Sequence, residues 1–153
     1  ASISDKDNST SDFNFTLKYG VGAKNIINTF DGTYQKDLIM AGTEETELSF
    51  TVEEMQEIYK KMKAINILNY PSDYKPPYSD NPKPGEERDV EPHYTYILDL
   101  TLDGVTKSIS WVDSNYSETA EAKKLRDIYN YIDEAIINKE EYRKLPEAVG
   151  GYE

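Results

Sequence analysis

The chain has 153 residues, no cysteine, and 29 acidic against 17 basic side chains, which give a formal net charge of −12. Without cysteine there is no disulfide, no thiolate nucleophile and no zinc–thiolate site. The negative charge disfavours nucleic acid and anionic membrane surfaces as partners, because their phosphates would be repelled. No apolar run approaches the ~20 residues that a membrane-spanning helix requires.

The N-terminal segment, residues 1–12, is small, polar and charged, so it has no apolar face to bury. This composition predicts a disordered tether ahead of a single domain over residues 13–153. Asp5 and Asp7 resemble the start of a calcium-binding loop, but Thr10 stands where the sharp turn of that loop requires glycine. We therefore predict no metal site there.

Four β-strands are predicted before the first helix. Large apolar side chains alternate with polar ones over residues 13–19, which indicates a half-buried strand. Residues 24–30, 33–40 and 43–50 supply three more strands, the second of them after a tight Asp-Gly turn. Along the third strand the alternation places on one face Tyr34, Lys36, Leu38 and Met40.

Two amphipathic helices are predicted, each after a group of strands. Thr51 and Glu54 form a capping box, and apolar side chains then recur at helical spacing as far as Ile65. The second helix begins at Ser117 or Thr119 and has an apolar stripe of its own. Both stripes require an apolar surface to cover them.

A β-hairpin over residues 94–112 is the clearest element, because apolar and polar side chains alternate on both sides of Asp103-Gly104. A two-residue turn fixes the register, and it predicts the pairs Tyr96–Trp111, Leu98–Ile109, Leu100–Lys107 and Leu102–Val105. We predict an α+β fold of two layers, in which an antiparallel sheet carries two helices packed on one face.

A long irregular segment, residues 70–92, lies between the first helix and the hairpin and contains six of the seven prolines. Loops of this length inside a domain are often functional, and tyrosine offers contact area at low entropic cost. The alternative is that these tyrosines pack back on the sheet. The candidate ligand-binding residues are Tyr74 and Tyr78 on this loop, with Tyr34, Lys36 and Asp37 near the Asp-Gly turn.

The parts of a catalytic site are scarce. The only histidine is His93, and with no cysteine neither a nucleophilic triad nor a histidine-rich metal site can be assembled. Among 29 acidic residues some carboxylate pair is inevitable, so a glycosidase-like pair has little specificity. We expect a binding domain rather than an enzyme, with no catalytic residues, no cofactor and no metal ion.

Residues 19–25, YGVGAKN, and 29–37, TFDGTYQKD, resemble the N-terminal motif of uncharacterised secreted lipoproteins from Gram-positive bacteria. The resemblance extends from about Phe13 to the end of the chain, including the ending at residues 141–152. It implies a domain that is secreted or lipid-anchored at the cell surface, and it implies no reaction. Lipid attachment would require a cysteine ahead of this sequence, and this anchor would be the only contact with a membrane.

These observations predict a non-enzymatic extracellular binding domain held at the cell surface, with an unknown ligand or envelope protein as its partner. One alternative is an inhibitor or chaperone-like partner of another envelope protein, because an exposed edge strand can accept a partner strand. Another is a hydrolase of cell-wall polymers, which would require a pair of carboxylates about 5–9 Å apart.

Overall fold

A computed structural model describes residues 12–85, 89 and 91–152. The strands are β1 (Asn14–Val21), β2 (Asn25–Asn28), β3 (Thr33–Asp37), β4 (Thr43–Glu47), β5 (Tyr94–Leu102) and β6 (Val105–Asp113). The helices are α1 (Val52–Ala64), α2 (Ala120–Ile137) and α3 (Glu140–Arg143), with a short 3-10 helix at Ile67–Asn69. The strands form one antiparallel sheet in the order β4-β3-β2-β1-β5-β6, which confirms the predicted α+β fold with helices packed on a sheet. Apart from Asp12, the predicted tether lies outside the described residues.

The hairpin of β5 and β6 has the predicted register, with all four expected pairs in place. Its turn residues, Asp103 and Gly104, have φ angles of 54° and 82°, the left-handed conformation that a type I′ turn requires. Aspartate tolerates this conformation better than most residues, and glycine adopts it at no steric cost. The turn chemistry therefore sets the pairing of the two longest strands.

The core lies on one face of the sheet. Leu17 on β1 is fully buried and pairs with Ile27 on β2 and with Leu98 on β5, both of which are also fully buried. The same apolar cluster includes Ile58 of α1 and Ile132 of α2, so both helices cover this face. The opposite face carries polar side chains from the alternate positions of the strands, including Thr16, Lys18, Asp99 and Ser108.

Side chains cap both long helices. Thr51 accepts a hydrogen bond from the Glu54 amide at 3.0 Å, and the Glu54 carboxylate accepts one from the Thr51 amide at 2.9 Å. At α2 the cap is Thr119, whose hydroxyl accepts from the Ala122 amide at 3.2 Å. Ser117 instead donates to the Pro77 carbonyl at 2.6 Å, which ties the irregular segment to this helix.

None of the described helices has the length and apolar composition needed to cross a bilayer.

The third strand ends at Asp37, three residues earlier than predicted, and Met40 is 77% exposed, whereas Tyr34 and Leu38, which were predicted to share its face, are buried. Ile39 has a φ of 63°, which turns the chain out of the strand, and the Leu38 amide donates to the Gly42 carbonyl at 2.8 Å. The prediction for Met40 was wrong because alternation continues only while the backbone stays extended. The next strand, β4, is likewise shorter than the predicted residues 43–50.

The irregular segment covers the outer edge of β6. Its Tyr74 amide donates to the Ser110 carbonyl at 2.8 Å, and the Ser110 amide donates to the Ser72 carbonyl at 2.7 Å. These bonds satisfy backbone groups that an open edge strand would expose. They also bring the Tyr74 ring to 5.3 Å from the ring of Trp111.

Candidate functional site

A small cavity lies between the sheet and the C-terminal half of α2, with a volume of about 180 Å³. We call it the tyrosine pocket, because tyrosines supply most of its lining. The lining consists of Tyr19, Tyr34, Tyr94, Tyr96, Tyr129 and Tyr142, with Asn25, Asn130, Asp133 and Ile137.

The strands supply the floor of the tyrosine pocket. Tyr19 on β1 and Tyr96 on β5 are directly opposite one another in the antiparallel register, so their side chains share one face. Tyr34 on β3 lies on the same face and is also buried. Tyr94, two residues before Tyr96 on the same strand, is largely exposed and lies at the mouth.

The helices supply the walls. Tyr129 and Asp133 are four residues apart on α2 and therefore lie on the same side of that helix. The Tyr129 ring stacks on the Tyr96 ring at 4.8 Å, and the Tyr142 ring of α3 lies 5.8 Å from that of Tyr34. These ring contacts fix the walls against the floor and limit how far the cavity can collapse.

Three polar side chains form a hydrogen-bonded relay in the tyrosine pocket. The Tyr19 hydroxyl donates to Asp133 Oδ1 at 3.0 Å and lies 3.0 Å from the Tyr34 hydroxyl. Because a phenol has one proton, Tyr34 donates to Tyr19 while Tyr19 donates to the carboxylate. Burial raises the pKa of both phenols, so both hydroxyls are neutral donors at physiological pH.

Asp133 is the chemically unusual member of the lining. Burial raises the pKa of its carboxyl group, and the hydrogen bond from Tyr19 acts in the opposite direction. None of the basic side chains in the described part of the chain forms an ion pair with Asp133. Its Oδ2 atom accepts no hydrogen bond from the described residues and is not sealed from solvent. A positive charge in the cavity would offset the free-energy cost of ionising this partly buried group.

Three of the five predicted ligand-binding residues lie at or beside the tyrosine pocket. Tyr34 is part of the lining. Lys36 lies next to it, with Nζ 4.6 Å from the centre of the Tyr142 ring and donating to the Pro146 carbonyl at 2.9 Å. Asp37 is buried and accepts a hydrogen bond from the Tyr152 hydroxyl at 2.5 Å. The structure thus brings these three residues together, while ligand binding by them stays a prediction.

The other two predicted residues, Tyr74 and Tyr78, are not in the lining of the tyrosine pocket. Tyr74 is 6% exposed, and its ring packs against those of Tyr70 and Trp111 at 5.1 and 5.3 Å. Tyr78 is half-buried, and its carbonyl accepts from the Glu118 amide at 2.6 Å. The structure therefore gives Tyr74 a core position, and a ligand role for either tyrosine stays a prediction.

Sequence reasoning missed Tyr19 and Asp133, the two residues that connect the sheet and the helix in this site. They are 114 positions apart in the chain, so no local pattern joins them. The available signal was weak: Asp133 lies beside the buried stripe residues Ile132 and Ile136 of α2. An acidic side chain at the edge of an apolar stripe requires a partner within the fold.

Two other clusters bring charged or ionisable side chains together at exposed positions. A cavity of about 220 Å³ at the end of α1 includes Lys63 and Asp103, which pair with each other at 2.7 Å. Asp89, Glu91 and His93 place one potential metal-ligand atom each within 4.8 Å of one another. Both carboxylates are exposed, and both already lie close to the imidazole, at 2.9 and 3.5 Å. The carboxylates of both clusters are exposed, so water solvates their charge.

Comparison with known proteins finds no family model, no curated protein and no solved structure that matches the chain. The similarity to secreted lipoproteins therefore stays a prediction.

Proposed function

We propose that this chain is a non-enzymatic binding domain held on the outer side of the cell, and that the tyrosine pocket is its ligand site. One observation carries the proposal: a partly buried carboxylate without an ionic partner among the described residues opens into a cavity lined by six tyrosines. A partly buried carboxylate without an ionic partner reduces the stability of the fold, and a ligand that stabilises its charge would offset this cost.

The chemistry of the lining favours binding over catalysis. Asp133 is the single carboxylate among the described residues of the lining, whereas hydrolysis by paired carboxylates requires two, about 5–9 Å apart. Tyrosine rings offer large rigid surfaces with a hydroxyl at one end, which suits recognition. The relay through Tyr34 and Tyr19 holds the carboxylate in place before a ligand arrives, and such preorganisation lowers the entropic cost of binding.

The location outside the cell is proposed from the sequence, on its resemblance to secreted lipoproteins and its polar first residues. Fractionating the cells that make this protein, followed by intact-mass measurement, tests it. We expect the protein in the membrane fraction with a lipidated cysteine ahead of this sequence. Recovery of an unmodified protein in the cytoplasm would contradict this part of the proposal.

Blocking the tyrosine pocket is expected to abolish ligand binding without unfolding the protein. Asn130 lines the cavity from an exposed position on α2, so Asn130→Trp fills the space at a cost of no more than about 0.5 kcal/mol. Amide chemical shifts of labelled protein are followed during titration with choline, glucose and acetate as probes of three chemical classes. At least one probe is expected to shift signals of the lining residues, and Asn130→Trp is expected to remove that response.

Thr106→Trp is the matched control, since it adds the same ring at an exposed position on β6 away from the lining and leaves the charge unchanged. This variant is expected to bind the probe like the original chain. The proposal fails if no probe perturbs the lining residues, or if Asn130→Trp binds as well as Thr106→Trp.

A further inference from the structure

The formal charge in the lining of the tyrosine pocket is negative. Among the described residues that line it, Asp133 is the only ionisable group besides the tyrosines, and burial raises the pKa of Tyr19 and of Tyr129 so that neither is charged at neutral pH. The chain as a whole has a net charge of −12. Both the local and the overall charge oppose an anionic ligand and attract a cation.

The volume of the cavity limits the size of the ligand. Pockets for drug-sized molecules have volumes of about 300–1,000 Å³. At about 180 Å³ the tyrosine pocket is smaller, and it accommodates a headgroup or a single side chain. The ligand, or the part of it that enters, is therefore compact.

The rings provide a second attraction for positive charge. The face of a tyrosine ring is electron-rich and attracts ammonium groups. Two ammonium groups of the chain already make such contacts: Lys36 Nζ lies 4.6 Å from the centre of the Tyr142 ring, which lines the cavity, and Lys24 Nζ lies 5.9 Å from that of Tyr152, which does not. Neither lysine forms an ion pair with Asp133, so this carboxylate has no ammonium partner within the described part of the chain.

We propose that the tyrosine pocket binds a compact organic cation, whose ammonium group lies against the tyrosine rings and pairs with the carboxylate of Asp133. This inference rests on the proposed function, because it names the ligand class of the same site. The open Oδ2 atom receives the positive charge while Oδ1 keeps its hydrogen bond from Tyr19. The cation also offsets the cost of keeping a partly buried carboxylate ionised.

Choline and 3,3-dimethylbutan-1-ol test the charge of the ligand, because they share shape and hydroxyl group and differ in having nitrogen or carbon at the branched centre. Titrations followed by amide chemical shifts give the dissociation constant of each. We expect choline to bind at least about tenfold more tightly, the size of effect that a partly desolvated cation–π contact provides. Equal affinities of the two molecules would overturn the inference.

Asp133→Asn tests the carboxylate, since asparagine keeps the shape and an oxygen that accepts from Tyr19. Asp127→Asn is its matched control: it lies on the exposed side of the same helix, and both variants change the net charge from −12 to −11. The preference is the ratio of the dissociation constant of 3,3-dimethylbutan-1-ol to that of choline. We expect Asp133→Asn to lower this ratio by about tenfold or more, and Asp127→Asn to leave it unchanged. If both variants behave alike, the carboxylate has no role and the inference fails.

The titrations distinguish an error in the proposed ligand class from an error in the proposed location of the site. If glucose shifts the amide signals of the lining residues and choline does not, the tyrosine pocket remains the proposed ligand site and the proposed ligand class is wrong. If none of the probes perturbs the lining, both proposals fail. Far-UV circular dichroism shows whether Asp133→Asn is folded, and the comparison of choline with its neutral analogue needs no variant.

Discussion

Trp111→Ala is expected to lower the free energy of unfolding by about 4 kcal/mol, within the range observed for deleting a large buried aromatic side chain. Trp111 is 1% exposed, and its ring lies 5.1 Å from that of Tyr96 and 5.3 Å from that of Tyr74. It therefore joins the sheet to the irregular segment. Urea unfolding followed by far-UV circular dichroism measures the change, since the variant removes the only tryptophan.

Trp111→Phe is the matched control for this prediction. The buried Nε1 atom of Trp111 has no hydrogen-bond partner among the described residues, so phenylalanine removes an unsatisfied donor while keeping an aromatic ring. We expect Trp111→Phe to cost less than half as much as Trp111→Ala. A loss below about 1 kcal/mol for the alanine variant would show that this position is not core.

Arg126→Met is expected to lower the free energy of unfolding by about 3–5 kcal/mol, because it leaves a buried carboxylate without its partner. Arg126 Nη2 lies 2.7 Å from Asp113 Oδ2, and the two side chains are only 12% and 2% exposed. The same nitrogen donates to the Ser117 carbonyl at 2.9 Å. Methionine keeps much of the aliphatic stem, so the lost charge and hydrogen bonds dominate the effect.

A double-mutant cycle separates the ion pair from other contributions. Asp113→Asn combined with Arg126→Met removes both charges, while asparagine can still accept from the Ser117 amide as Asp113 does at 3.0 Å. We expect the double variant to cost at least about 1 kcal/mol less than the sum of the two single variants. Additive losses would mean that the two side chains do not stabilise each other.

Features set by neighbouring residues were predictable from the sequence. The hairpin register followed from Asp103-Gly104, because a two-residue turn leaves one pairing for the strands on either side. The start of α1 followed from the capping box, because Thr51 and Glu54, which form it, are only three residues apart. For α2 the pattern left Ser117 and Thr119 as alternatives, and the hydrogen bond of Ser117 to the Pro77 carbonyl decides between them.

Features that depend on distant residues were not predictable. The early end of β3 depends on Ile39, whose left-handed backbone accompanies two hydrogen bonds with Val149. The Met40 amide donates to the Val149 carbonyl, and the Val149 amide donates to the Leu38 carbonyl. The position of Tyr74 depends on hydrogen bonds between its loop and β6. No local pattern contains these pairings, because the free energy that fixes them comes from tertiary contacts.

The candidate site also combines a residue that the sequence identifies with contacts that depend on distant parts of the chain. Tyr34 was identified from its place near a turn, and it lines the tyrosine pocket. The reason it matters is its hydrogen bond to Tyr19, which in turn donates to Asp133. That relay joins β3, β1 and α2, and it exists only once the helix has packed on the sheet.

A crystal structure of the protein grown with choline tests the central claim most directly. The account predicts the ammonium group of choline in the tyrosine pocket, beside the carboxylate of Asp133 and against the tyrosine rings. Binding of choline elsewhere, with the pocket closed by its own side chains, would contradict the proposal that this cavity is the ligand site.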